Sequence, residues 1–301
     1  MTSRDPAFRC AGASVLRDEP VTGTASTVRA FLLVENTGPW GVEALRDARL
    51  PDGLGRSVTS ACAAARVRPL LVRRPDRQTN QDGIRVFVAY AHPERPWLES
   101  GVLADPHELL GLDLAALGAG RSAGLQPDPT SLLCVCTHGR HDACCAERGR
   151  PVSSALALAH PEETWEVSHI GGDRFAGNLL VLPHGLYYGR LDPASALAAA
   201  GSHAGGELDL DHLRGRSGFP MPVQYAEIAL RRELAETRDD ALRLVSRSAR
   251  DGVTEAVFDV AGATWEVRVR ASPGQQPEQL TCKATRDNPI PVHELLDIVR
   301  R

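Results

Sequence analysis

The stretch CVCTHGRHDACC, residues 134–145, carries four of the chain's seven cysteines together with His138 and His141. Thiolates and imidazoles are soft donors, suited to holding a transition metal or to thiol redox chemistry. The spacing is Cys134-x-Cys136 and then Cys144-Cys145, with none of the C-x2-C pairs of a standard structural zinc site. A vicinal pair does not easily set both thiolates on one tetrahedral ion. One cysteine from each pair is therefore the expected arrangement, and Cys136 to Cys145 closes a wide loop with eight residues between. Zinc in these ligands stays open at this point. So does a metal-free dithiol of Cys134 and Cys136, or of Cys144 and Cys145, its thiol pKa lowered by Arg140 and by a helix opening near Pro151.

A second group of donors lies in SHIGGDRFAGN, residues 168–178. His169 and Asp173 have three residues between them, Gly171 and Gly172 included, which allow positive φ and close backbone approach to a ligand. The two loops together would supply two thiolates, an imidazole and a carboxylate. Arg174, His138 and Arg140 are candidates to hydrogen-bond the ligands from behind. Asp173 also has a plain reading as a turn residue after two glycines. His138 and His141 read as supporting or solvent-facing side chains. Cys62 reads as a core helix residue, Cys282 as a buried strand cysteine and Cys10 as an exposed thiol. Trp40 in GPWG (38–41) reads as packed by a turn.

The elements that must carry these loops are legible from periodicity. TSLLCVC (130–136) predicts a strand running into the cysteine loop. Pro151 suits a first helical position, and Val152, Ala155, Leu156 and Ala159 follow at helical spacing. TWEVSHI (164–170) predicts a strand ending at His169, and NLLVLPHGLYYGRL (178–191) a hairpin turning at Pro183-His184-Gly185. Asp192 caps a helix opened by Pro193. This order is that of a thioredoxin-like unit, with both donor loops following strand C-termini, where open α/β sheets place their sites. Upstream, 28–35, 67–74 and 84–91 predict strands, 39–50 and 106–118 helices, and 73–83 a polar loop. Downstream, helices are expected near 222–236 and 239–249. A hairpin follows in EAVFDVAG and TWEVRVRA, and a strand in QLTCKAT.

Composition bounds the rest. The chain has 301 residues, 43% hydrophobic and 24% charged, which is enough to bury a core. A net charge of −4 gives no nucleic-acid footprint. No apolar run reaches membrane-spanning length, and MTSRDPAFRC has no apolar signal region, so a cytoplasmic protein with reduced thiols is expected. Neither G-x-x-x-x-G-K nor G-x-G-x-x-G occurs, and no paired-carboxylate signature supports glycoside hydrolysis.

CTHGRHDACC followed by HIGGDRFAGNLLVLPHGLYYGRL, with LLVENTGPWG (32–41) upstream, resembles the sucrase/ferredoxin-like family over most of residues 10–205. GFPMPVQYAEIALR (218–231) extends the likeness. The resemblance implies a thioredoxin-like ferredoxin whose 2Fe–2S cluster is held by two cysteines with eight residues between them and two histidines with three between them. Those positions fall on Cys136, Cys145 and His169, while the second histidine position is Asp173. A carboxylate there returns negative charge that imidazole ligation removes. Asp173 would ligate, or Cys134 or Cys144 would substitute for it, or no cluster would be held. The expected fold is α/β: a leader (1–27), an N-terminal α/β region (28–129), a thioredoxin-like cluster-binding domain (130–203) and a small C-terminal α+β appendage (204–301). The expected function is single-electron transfer with a redox partner protein, a carrier more than a substrate-transforming enzyme. The alternatives are a metal-free thiol–disulfide oxidoreductase and a zinc-stabilised binding module.

Overall fold

The structure, a computed structural model, describes residues 5, 7–77 and 83–301. It is a mixed α/β arrangement built on two sheets. The larger holds ten strands: β1 (Ala30–Glu35), β2 (Val67–Arg73), β3 (Ile84–Tyr90), β4 (Trp97–Leu103), β5 (Gln126–Pro127), β6 (Leu132–Cys136), β7 (Thr164–Val167), β8 (Leu179–Leu182), β9 (Leu186–Tyr188) and β10 (Leu213–Arg216). Their order across the sheet is β10-β9-β8-β6-β7-β2-β1-β3-β4-β5. Every residue of β1 is buried, with Phe31 and Leu33 in one core and Ala30, Leu32 and Val34 in the other. Cover on both faces is why its sequence is a continuous apolar run and not an alternation. The segments before and after residue 129 share this sheet, since β2 pairs with β7, Val72 against Val167.

Among the described residues six α-helices accompany the sheets: α1 (Cys10–Leu16), α2 (Leu54–Ala64), α3 (Leu114–Gly118), α4 (Ala143–Ala159), α5 (Pro193–Ala204) and α6 (Met221–Leu234). The pairing that positions the donor loops is β6 against β7. They run parallel, Cys136 opposite Val167, with α4 as the crossover, so the chain leaves both strands at the same sheet end. On its other side β6 pairs antiparallel with β8, which turns back into β9 as the hairpin expected from the sequence. Asp192 caps α5 through a reciprocal bond pair with Ser195, also as expected.

Helix α4 opens eight residues before Pro151, which lies inside it. The Asp142 carboxylate accepts a hydrogen bond from the Cys144 N–H at 2.9 Å and starts the helix there. Its buried stripe then runs Cys145, Gly149, Val152, Leu156. Gly149 is required by packing: a Cβ there would stand 2.1 Å from the Cys136 carbonyl oxygen.

Elsewhere tertiary structure overrides local pattern. Residues 39–50 form turns, not a helix, with Ala44 at φ +42 and Trp40 buried against the sheet. The stretch 106–118 is a 3-10 helix (Pro106–Gly111) and the short α3, each capped by its own aspartate, Asp105 and Asp113. The polar loop expected at 73–83 lies partly outside the described residues. Residues 10–16 of the expected leader form α1, with Cys10, Ala11 and Ser14 buried.

The second sheet is antiparallel, β11 (Leu242–Arg250), β12 (Val253–Val260), β13 (Ala263–Glu278) and β14 (Asn288–Arg300) in that order. Helix α6 covers it, burying Val223, Ala226 and Leu230 against Ala256, Phe258, Val267 and Val269. The second helix expected near 239–249 is instead the edge strand β11, paired along its length with β12. The hydrogen bonds to its neighbour outweigh the local helix propensity of this largely exposed segment. QLTCKAT is a turn between β13 and β14 and not a strand. No helix among the described residues is long and apolar enough to cross a membrane.

Candidate metal centre

The parallel exit of β6 and β7 brings the two donor loops into contact. Cys136 and Cys145 are each 1% exposed, Asp173 is 2% exposed, and the two cysteines belong to the same buried cluster. The Cys145 thiol donates to Asp173 Oδ1 at 3.1 Å, and the same oxygen lies 2.8 Å from His169 Nδ1. Asp173 Oδ2 is buried without a hydrogen-bond partner. Cys136, Cys145, His169 and Asp173 thus form one chain of contacts, with the thiols inside and the His169 side chain 29% exposed.

Electrostatics polarise the group. The neighbouring Cys145 holds the Cys136 thiol below its ordinary value against the cost of burial. The same pairing drives Cys145 upward, with burial and the nearby charges of Cys136 and Asp173 adding to it. Burial alone would raise the Asp173 carboxyl, but its bond to His169 and that ring's charge outweigh burial and hold it below the usual carboxylate range. Asp173 is therefore ionised, pointing an unsatisfied oxygen into a pocket of donors.

His141, read from the sequence as supporting or solvent-facing, belongs to this group. Its Nε2 lies 3.7 Å from Asp173 Oδ2, and its ring stacks on that of His169 at 3.8 Å between centroids. His141, His169 and Asp173 could hold a metal ion together, since their ligand atoms all lie within 4.8 Å of one another. His138 plays a different part. Its Nε2 donates to the Gly41 carbonyl at 2.6 Å, and its Nδ1 accepts the His169 N–H at 3.2 Å. With both ring nitrogens used, it fixes the loop and offers no donor. The GPWG turn supplies that anchor, and Trp40 meets the His138 ring edge-on at 5.7 Å.

The remaining sequence candidates lie elsewhere. Cys134 is buried in the sheet core. Cys144 points away from Cys145, because successive helical residues diverge by about 100°; its sulfur lies 3.5 Å from that of Cys282. Arg174 pairs with Glu19 at 2.5 Å. The Arg140 carbonyl accepts from Lys283. Cys62 is a core residue of α2, as expected. Cys10 is fully buried and Cys282 sits half-buried in a turn, both contrary to expectation. Cys10, Asp142, Cys144 and Cys282 form a second group able to hold a metal ion.

The double glycine has φ of +97 at Gly171 and +78 at Gly172. What approaches it is protein: a Cβ on Gly171 would lie 2.4 Å from Ser26 Oγ, and one on Gly172 2.2 Å from an Arg214 Nη. Arg214 is the positioning residue that the sequence did not reveal. Buried to 1% exposure, it donates to the Gly171 carbonyl at 2.9 Å, to Asn178 Oδ1 at 2.8 Å and to the Thr24 carbonyl at 2.6 Å. Asn178 in turn donates to the Gly172 carbonyl at 2.9 Å. Asn178 stood in the motif and could have been read from it. Arg214, far along the chain in LRGR, carried no local signal.

A family model described as sucrase/ferredoxin-like matches residues 21–199. No curated protein and no solved structure matches the chain.

Proposed function

Since the chain belongs to the sucrase/ferredoxin-like family, we propose that it is a cytoplasmic electron-transfer protein that binds one 2Fe–2S cluster through Cys136, Cys145, His169 and Asp173. The observation that carries this reading is the junction at Asp173: two buried thiols on one side, imidazoles on the other, and an ionised carboxylate with an orphaned oxygen between them. Ferric and ferrous iron in sulfide clusters take thiolate and imidazole donors, which Cys136, Cys145 and His169 supply, with the Asp173 carboxylate as the fourth donor. The order β7-β6-β8-β9, parallel then antiparallel, supports a thioredoxin-like reading of this unit.

Such a cluster, when bound, exchanges one electron. The chain's own residues decide how. The thiol side is sealed under α4, whose Gly149 lets the helix lie against the Cys136 carbonyl. The imidazole side opens outward, with the His169 and His141 side chains 29% and 33% exposed. Electron exchange with a redox partner protein runs through that face. The Asp173 carboxylate keeps negative charge there, which favours the more oxidised state and lowers the reduction potential relative to a second imidazole. Arg214 and Asn178 hold the His169–Asp173 loop in shape.

Anaerobic purification with iron and sulfide analysis, followed by electron paramagnetic resonance after dithionite reduction, tests this. Red-brown protein with equal iron and sulfide and a rhombic signal on reduction supports it. Protein that stays colourless after anaerobic reconstitution would sink it.

A further inference from the structure

Three sequence-distant thiols meet on the far side of the first turn of α4. The Cys144 sulfur lies 3.5 Å from that of Cys282, which lies 3.6 Å from that of Cys10. The Cys10 sulfur stands 3.6 and 3.5 Å from the two oxygens of Asp142. All four ligand atoms fall within 4.8 Å of one another, and Cys10, Asp142 and Cys144 are buried. We propose that Cys10, Cys144 and Cys282, with Asp142, form a closed structural zinc site, separate from the centre at Cys136 and Cys145.

The distances suit one ion. Zinc–thiolate bonds of about 2.3 Å in a tetrahedron set sulfurs about 3.8 Å apart, close to the 3.5 and 3.6 Å that Cys282 keeps from Cys144 and Cys10. A disulfide fits the group less well. Bonding needs about 2.05 Å between sulfurs, and either pair that includes Cys282 would leave a buried thiol, Cys10 or Cys144, beside it. Three thiolates and a carboxylate are donors of the class that takes zinc, and four protein donors leave no open position, the mark of a structural site. The Asp142 carboxylate is already aimed, since it accepts the backbone N–H of Cys144 at 2.9 Å and of Cys282 at 2.6 Å. Each of its oxygens keeps a lone pair for a metal. Binding exchanges thiol protons for the ion and needs no oxidant or reductant.

The arrangement also gives the ion a task. Cys10 opens α1, Cys144 lies in the first turn of α4, and Cys282 lies in the turn between β13 and β14. A zinc ion would tie the N-terminal helix and the C-terminal sheet to the loop that carries the first centre. The vicinal pair Cys144-Cys145 is then divided, one thiol to each site. The two sites together use five of the seven cysteines; the other two, Cys62 and Cys134, lie in the hydrophobic cores.

Zinc and iron analysed separately on the full chain, purified under reducing conditions, decide the matter. The expected result is about one tightly held zinc per chain, lost in Cys282→Ser and in Asp142→Asn while the iron absorption persists. Cobalt added to zinc-stripped wild-type chain should give an intense thiolate-to-cobalt band, a readout that needs no variant to fold. No zinc uptake by the reduced chain, zinc retained at wild-type level in both variants, or a Cys144–Cys282 disulfide in anaerobically purified protein would each overturn the assignment. Iron content reports on the first centre alone, so failure of either site is read independently.

Discussion

Asp173 accepts a hydrogen bond from the Cys145 thiol at 3.1 Å, although Cys145 lies in the first turn of α4 after β6 and Asp173 in the segment after β7. The contact exists because β6 and β7 are parallel and α4 returns between them. It makes Asp173 the hinge of the donor group and the residue whose replacement is most informative. Asp173→His should keep the cluster and raise its reduction potential, as imidazole replaces a charged donor. Asp173→Ala should reduce iron content sharply. Spectroelectrochemistry and iron analysis of both variants check this, and an unchanged potential in Asp173→His would remove Asp173 from the ligand set in favour of His141.

Gly149→Ala tests the seal over the thiols. The new methyl would meet the Cys136 carbonyl oxygen at 2.1 Å, backbone that cannot swing aside. Overpacking of this kind costs about 1–3 kcal/mol. Urea unfolding should show that loss, together with faster release of iron. An alanine variant as stable as the parent would mean that α4 can slide outward freely.

Arg214→Met should be more damaging. The guanidinium is pulled down to about 10 by burial, offset in part by the neighbouring Tyr187, so it remains charged at neutral pH. Removing it strands the Gly171 and Thr24 carbonyls and the Asn178 side-chain oxygen in a buried place. Unpaired buried acceptors cost about 1–3 kcal/mol each, so a loss of several kcal/mol is expected in denaturant melts. Electron transfer should fail with it, because the same bonds hold the loop of His169 and Asp173.

Acid sensitivity should come partly from His203. Burial, with the charge of nearby His184 adding, pushes it down to about 4. In the unfolded chain it titrates near the ordinary value of about 6.5. Between those values the unfolded state binds the extra proton, so the stability associated with neutral His203 is complete above about 6.5 and is lost as pH falls toward about 4. Asp239 and Arg216 face the pair with opposite effects. Urea midpoints measured from pH 7 to pH 5 should fall, and His203→Gln should flatten that fall. An equally steep fall in the variant would assign the sensitivity to other groups.

Much of the frame was legible in the sequence because its signals are local. β1, β2, β3, β6, β7 and the β8–β9 hairpin follow from runs of branched and aromatic residues. α5 follows from the Asp192-Pro193 start, and α6 from its apolar stripe. The misread elements are those where a distant partner decides. Residues 239–249 have a pattern a helix would accept, yet become an edge strand because β12 lies beside them. The 39–50 stretch turns because Trp40 is drawn in beneath Arg73, whose guanidinium lies 4.0 Å over the ring. Pro151 reads as a helix start, but the side-chain cap that sets the start is Asp142.

By itself the sequence determined the inventory of donors, the family and the two loops that hold Cys136, Cys145, His169 and Asp173. Residue type and short-range spacing carry that information directly. Only the tertiary structure decided where each thiol and ring points. It turned Cys144 toward Cys10 and Cys282, brought His141 onto His169, and slid Arg214 beneath the double glycine. Those contacts join residues on different elements of the chain, and their energies come from burial and pairing that no local stretch of chain contains.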